Sequence, residues 1–182
     1  MLKKFLPLFL ILTACGSSTD SNSSCDRPKD LVLLGEKVQG DFNGDCKIES
    51  IEIKLVKESK GTPITDSDYE PNEYDLIISD QNISKKGISL GDFPKFINEG
   101  DLNGDGNDEL SVVTYSWNGT LVYMSVMSFG GNSWKVLVSP QIEPGLGTDI
   151  TLEELQKRVY LKEGKIHYIN SDLEGIKTEK QL

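Results

Sequence analysis

From Glu49 to Val56 the apolar side chains fall on alternate positions, Ile51, Ile53 and Leu55 against Glu52 and Lys54. That is the period of a half-buried strand. Residues 57–72 lose the alternation and read as a polar loop. Its acidic stretch from Thr65 to Glu70 reads as solvated. Glu73–Ser79 predicts a second strand and Ile88–Leu90 a short third. A denser run follows. Glu109–Trp117 is rich in β-branched and aromatic residues. Asn118-Gly119 is a strong hairpin signal, Thr120–Phe129 a strand, Gly130-Gly131-Asn132 a turn, and Trp134–Ser139 another strand. Pro140–Gly147 reads as a connector. Thr151-Leu152-Glu153-Glu154 has the order of a capping box and predicts a short helix to about Lys157. Arg158–Lys162 and Lys165–Asn170 around Glu163-Gly164 predict a terminal hairpin. The fold class is mainly β. Two antiparallel units, near residues 40–95 and 100–140, one short helix and a C-terminal hairpin share a single domain over residues 28–182.

The first fifteen residues break this pattern. Lys3 and Lys4 precede an apolar run, Phe5–Leu12, too short for the about 20 residues of a membrane-spanning helix. Small residues Thr13 and Ala14 follow, then Cys15. Leu12-Thr13-Ala14-Cys15 resembles the lipobox of bacterial lipoproteins. The resemblance implies a signal peptide over residues 1–14, cleavage before Cys15 and acylation of Cys15. The membrane is then a partner through palmitate-type lipid, and the location is the bacterial cell envelope. Gly16 stands where an Asp would imply inner-membrane retention, so the outer membrane is implied in a cell that has one. Residues 15–27 carry the lipidated cysteine and a tract of Ser, Asn, Thr, Asp and Gly too polar to pack, which reads as a flexible tether.

Charge narrows the partners. The chain has 19 Lys+Arg against 29 Asp+Glu, a net −10. Cleavage before Cys15 removes Lys3 and Lys4 and no acid, which takes the charge to −12. Phosphate contacts need a basic surface, so nucleic acid is excluded as a partner. An acidic body is also repelled by anionic lipid, so the anchor must be the acyl chains. With Cys15 assigned to lipid, Cys25 and Cys46 remain in an exported compartment. A Cys25–Cys46 disulfide is the one intramolecular pairing open to them; two free thiols are the alternative.

Two acidic stretches recur 60 residues apart. Gly40-Asp41-Phe42-Asn43-Gly44-Asp45-Cys46-Lys47-Ile48-Glu49 matches Gly100-Asp101-Leu102-Asn103-Gly104-Asp105-Gly106-Asn107-Asp108-Glu109 at Gly, Asp, Asn, Gly, Asp and Glu. Side-chain oxygens at positions 1, 3 and 5 of a tight loop converge on one point, and a carbonyl at 7 and a carboxylate at 9 complete an oxygen shell. Such a shell suits Ca²⁺ better than Mg²⁺. The candidate ligands are Asp101, Asn103, Asp105, Asn107 (carbonyl) and Glu109, and Asp41, Asn43, Asp45, Lys47 (carbonyl) and Glu49. The second loop is the better site by sequence. Cys46 stands where Gly106 gives a sharp turn, and Lys47 sets a cation beside the first loop's ligands.

A strand-like pattern follows each loop, where EF-hands and dockerins place a helix. The stretches resemble the FG-GAP/VCBS repeats of integrin-α-type β-propellers, whose blades carry such a loop ahead of a strand. The resemblance covers about a dozen residues per repeat and the strand after them. It implies two blade-like units braced by calcium. Two repeats cannot close a propeller ring, so a small standalone β-domain is expected, with the helix and C-terminal hairpin covering exposed edges.

The function that follows is a non-catalytic, lipid-anchored envelope module stabilised by calcium loops, binding a protein or a glycan. Tyr115, Trp117 and Tyr123 flank one hairpin as a candidate aromatic patch, core packing being the other reading. A secreted hydrolase, or an inhibitor of one, is the alternative. No nucleophile elbow stands out, and the single histidine, His167, reads as a surface strand residue. Carboxylates are plentiful, so paired-carboxylate glycoside chemistry stays open. A calcium sensor would need the helix pair of an EF-hand.

Overall fold

Strands that bury side chains on both faces set the architecture. The computed structural model describes Cys25 and residues 28–63, 65–145 and 150–182. The expected signal peptide over residues 1–14, the expected acylation site Cys15 and most of the expected tether lie outside them. Eleven described strands and one helix run in the order β1 (Leu34–Gly35), β2 (Lys37–Gly40), β3 (Glu49–Lys57), β4 (Glu73–Ile78), β5 (Asp92–Gly100), β6 (Glu109–Tyr115), β7 (Val122–Gly130), β8 (Ser133–Val138), α1 (Leu152–Gln156), β9 (Val159–Lys162), β10 (Lys165–Ser171) and β11 (Lys177–Gln181). The fold is mainly β, as the hydrophobic pattern predicts.

All strand pairs are antiparallel. They form a three-stranded sheet β2-β3-β4, a five-stranded sheet β1-β5-β6-β7-β8 and a C-terminal sheet β9-β10-β11. One core cluster joins Val38, Phe42, Ile51, Ile53 and Leu76 of the first unit to Phe96, Leu110, Val112, Met127 and Phe129 of the five-stranded sheet. Trp134 closes it, edge-on to Phe42 at 5.9 Å between centroids. The opposite face of the same sheet, with Ile97, Val113, Met124 and Val126, packs on Leu155, Val159 and Ile166. The five-stranded sheet is thus the middle layer. The helix and C-terminal sheet cover its face, where the sequence led us to expect covered edges. In α1 the Thr151 hydroxyl accepts from the Glu154 N–H at 3.2 Å, and the Glu154 carboxylate accepts from the Thr151 N–H at 2.9 Å.

Several features depart from expectation, β1 and β2 among them, since the sequence pattern predicts no strand ahead of Glu49. Ile88–Leu90 is not a strand; β5 starts at Asp92, and its Phe96 and Ile97 are fully buried on opposite faces. A strand buried on both faces loses the alternation that marks a half-buried one. β11, Lys-Thr-Glu-Lys-Gln, is exposed throughout and carries no apolar signal. The aromatic patch does not assemble. Tyr115 pairs with Val122 and Tyr123 with Thr114, so the two tyrosines project from opposite faces. His167 sits in β10, stacked on Tyr160 and bonded to Glu179 at 2.6 Å, a cross-strand cluster.

Candidate metal centre

Each acidic stretch is the turn between two antiparallel strands, β2 to β3 and β5 to β6. Five of their hydrogen bonds recur in both turns at the same offsets. Asp41 Oδ1 accepts from Gly44 N at 2.8 Å and Asp101 Oδ1 from Gly104 N at 2.7 Å. The other Asp41 oxygen takes Cys46 N at 2.9 Å, and that of Asp101 takes Gly106 N at 3.1 Å. Asn43 and Asn103 accept from Asp45 N and Asp105 N at 3.0 and 2.8 Å. Asp45 and Asp105 accept from Lys47 N and Asn107 N, both at 2.9 Å. Glu49 and Glu109 reach back to Phe42 N and Leu102 N at 2.9 and 2.7 Å. Carboxylates at positions 1, 5 and 9 are therefore aimed inward in both turns by backbone N–H groups. Position 2, Phe42 or Leu102, is buried and anchors each turn to the core.

Position 6 needs a left-handed backbone, and Cys46 adopts it with φ 65° where the second loop has Gly106 at 94°. A side chain there costs about 1–2 kcal/mol. Cys46 is bonded to Cys25, with the Cα atoms 5.2 Å apart, which ties the end of the tether to the first loop. Both sulfurs are committed to that bond and offer no ligand.

The loops differ in what fills their centres. Ligand oxygens of Asp41, Asp45 and Glu49 lie within 4.8 Å of one another. In the second loop the Asn103 amide nitrogen stands among the acids, donating to Glu109 Oε1 at 2.8 Å and Asp105 Oδ2 at 3.1 Å. The corresponding Asn43 nitrogen turns away to Asp80 at 3.1 Å. The sequence favours the second loop on its glycine and the absence of a lysine. The geometry gathers carboxylates in the first, where Lys47 Nζ sits at 2.7 Å from Asp45 on the solvent side. A hollow of about 410 Å³ bounded by Lys47, Glu49 and Asp80 opens beside it.

Burial shows in the proton affinities. Burial pushes the Glu49 carboxyl up to about 7, against the Phe42 N–H and with help from the negative charges of Asp41, Asp45 and Asp80. Burial likewise lifts Glu109 to about 7, with Asp105 adding to it. Glu99, just before the second loop, rises to about 8 through burial; its hydrogen bond is from the Ser111 hydroxyl at 2.6 Å. Glu49 and Glu109, whose charged forms are disfavoured first by burial and then by neighbouring acids, stand among inward-facing oxygens and fit a hard divalent cation, whose charge would favour the ionised carboxylates.

The two turns also touch. Asp108 Oδ2 accepts from Asp41 N at 3.0 Å, and Asp108 N donates to Asp41 O at 2.7 Å. Asn98 Nδ2 bridges Gln39 O at 2.7 Å and Asp108 Oδ2 at 3.1 Å. A Cβ on Gly40 would lie 2.4 Å from Asn98 Nδ2 and 2.6 Å from Asp108 Oδ2, so this close approach requires glycine. Asp41, Asp108 and Asn98 are all buried. Asp108 and Asn98 escaped the sequence reading. The signal was a break in the repeat, since Asp108 occupies the position of Ile48. The acidic loop near residue 66 is occupied with its own contacts, Asp66 to Thr62 N at 2.7 Å and Asp68 to Lys60 at 3.3 Å. Comparison of the chain with family profiles, with characterised proteins and with solved structures returns no match.

Proposed function

We propose that the protein is a non-catalytic envelope module, lipid-anchored through Cys15, whose paired acidic turns hold Ca²⁺ and brace a binding domain for a protein or glycan. The observation that carries this reading is the doubled scaffold, in which backbone N–H groups aim three acids inward in each of two adjoining turns. Asp41, Asp45 and Glu49 would hold one ion, with Asn43 and the Lys47 carbonyl. Asp101, Asp105 and Glu109 would hold the other, with Asn103 and the Asn107 carbonyl. In the second turn the ion has to displace the Asn103 amide nitrogen from Glu109 and Asp105. The resemblance to FG-GAP/VCBS repeats supports a bracing role, since there the loops stiffen blades.

The resemblance of Leu12–Cys15 to a lipobox supports the anchor and the envelope location. Affinity capture from envelope extract, with and without chelator, tests the function. A partner retained in calcium and released by chelator supports it. Retention of nothing in either condition counts against a binding role.

A further inference from the structure

At the ends of the strands remote from both acidic turns, a cleft of about 800 Å³ opens between the first unit and the edge of the five-stranded sheet. β6 runs from Glu109 to Tyr115, which sets the cleft roughly 20 Å from the turn carboxylates. Its floor is Ile53 and Leu55, and Tyr74, Phe93 and Tyr115 rise from it.

Phe93 is unusual in two linked ways. It lies in a bulge, where the pairing of β5 with β6 slips between Asp92 and Lys95 and two residues of β5 oppose one of β6. It also has φ 48°, a left-handed backbone that a bulky residue rarely adopts. Bulge and inversion together turn the ring outward, leaving it 46% exposed. Pro94 follows, with no N–H to continue the ladder. The Phe93 backbone is hydrogen-bonded to the Tyr74 hydroxyl, and the strained turn leaves the ring half-exposed at the cleft, a placement that suits a ligand.

Some of the polar groups around the ring are uncommitted. Tyr115 is 9% exposed, yet its hydroxyl has no hydrogen-bond partner among the described residues. No fully buried side-chain polar atom there lacks one, so this hydroxyl reaches solvent, and Tyr115 lines the cleft. Asn72 Oδ1 accepts from Ser59 N at 2.8 Å, which fixes the amide and leaves its NH₂ group as a free donor. Glu58 has no ion-pair partner among the described residues, whereas Lys95 is paired with Glu36. The lining carries two carboxylates and one ammonium, which disfavours an anionic ligand.

An aromatic face ringed by oriented donors and acceptors, without net positive charge, matches one ligand chemistry. Pyranose rings present apolar C–H faces, and their hydroxyls both donate and accept. We propose that this cleft binds a neutral oligosaccharide, one sugar ring stacked on Phe93 and its hydroxyls shared among Tyr115, Asn72 and Glu58. The proposal rests on the reading of the chain as a binding module and narrows its ligand to a glycan.

The test uses the full chain in detergent, first on an array of neutral and anionic oligosaccharides and then by calorimetry with chitotetraose and cellotetraose. Neutral sugars should bind in preference to anionic ones. Phe93→Ala should weaken binding by about tenfold or more, Glu58→Gln by severalfold, and Phe93→Tyr should retain it. Both weakened variants should keep the wild-type melting temperature and its response to Ca²⁺. Binding of no neutral oligosaccharide, a preference for anionic ones, or affinity unchanged in Phe93→Ala overturns the proposal. Sugar binding in a protein whose melting ignores Ca²⁺ upholds the cleft and sinks the metal reading alone.

Discussion

Asp108 provides a direct probe of whether the two turns act as one unit. Replacing it by alanine removes the oxygen that accepts from Asp41 N and Asn98 Nδ2, at 3.0 and 3.1 Å in a buried setting. Each orphaned buried donor costs about 1–3 kcal/mol, so Asp108→Ala should lose about 2–6 kcal/mol. In a domain of this size each kcal/mol moves the melting temperature by about 2–4 °C. The expected fall is therefore roughly 4–24 °C. Asp108→Asn keeps one oxygen able to accept both protons and removes a negative charge from an acidic neighbourhood, so it should lose less than half as much. The contrast separates hydrogen-bond geometry from charge. Urea denaturation of the wild type and both variants, in calcium and in chelator, measures it. A loss below about 1 kcal/mol in Asp108→Ala, or equal losses in the two variants, would refute the coupling of the turns through this carboxylate.

Further predictions follow from the same contacts. Glu49 and Glu109 rise to about 7 and Glu99 to about 8 in the folded, metal-free chain, above their unfolded values near 4.5. A carboxyl with a raised folded pKa stabilises fully below its unfolded pKa and loses that contribution as pH rises through the folded one. Chelator-treated protein should therefore be less stable at pH 8 than at pH 5, and Ca²⁺ should add most at pH 8; a flat profile in chelator would count against these shifts. Cys25→Ser with Cys46→Ala opens a link between residues 21 apart and should lower stability by about 3 kcal/mol in denaturant titrations. Cys46→Gly in the same background should recover about 1 kcal/mol by relieving the positive φ. Thr151→Ala removes the N-cap of α1 and should cost about 1 kcal/mol by thermal melting.

The acidic turns were legible because metal-type residues recur at a fixed offset, and their ladder follows from local Asx geometry. Contacts between turns were not legible. Asn98, Asp108 and Gly40 meet only because β2 and β5 are brought side by side, and nothing in either stretch encodes that pairing. β3, β6 and β7 announced themselves through apolar and β-branched content, and α1 through its capping box. β5 hid because the Phe93-Pro94 bulge interrupts it and Phe96 and Ile97 are buried on opposite faces. The order of sites also shifted with structure. Residue types favour the second turn, whereas side-chain placement gathers Asp41, Asp45 and Glu49 in the first and sets the Asn103 nitrogen inside the second.

Both paired turns should bind calcium. Calorimetric titration of Ca²⁺ into chelator-treated protein tests this, with melting followed in parallel. The account predicts saturable heat and a rise in melting temperature, with one class of site lost in Glu49→Gln and the other in Glu109→Gln. No heat and no change in melting at millimolar Ca²⁺ would contradict it, and the turns would then be purely hydrogen-bonded structure.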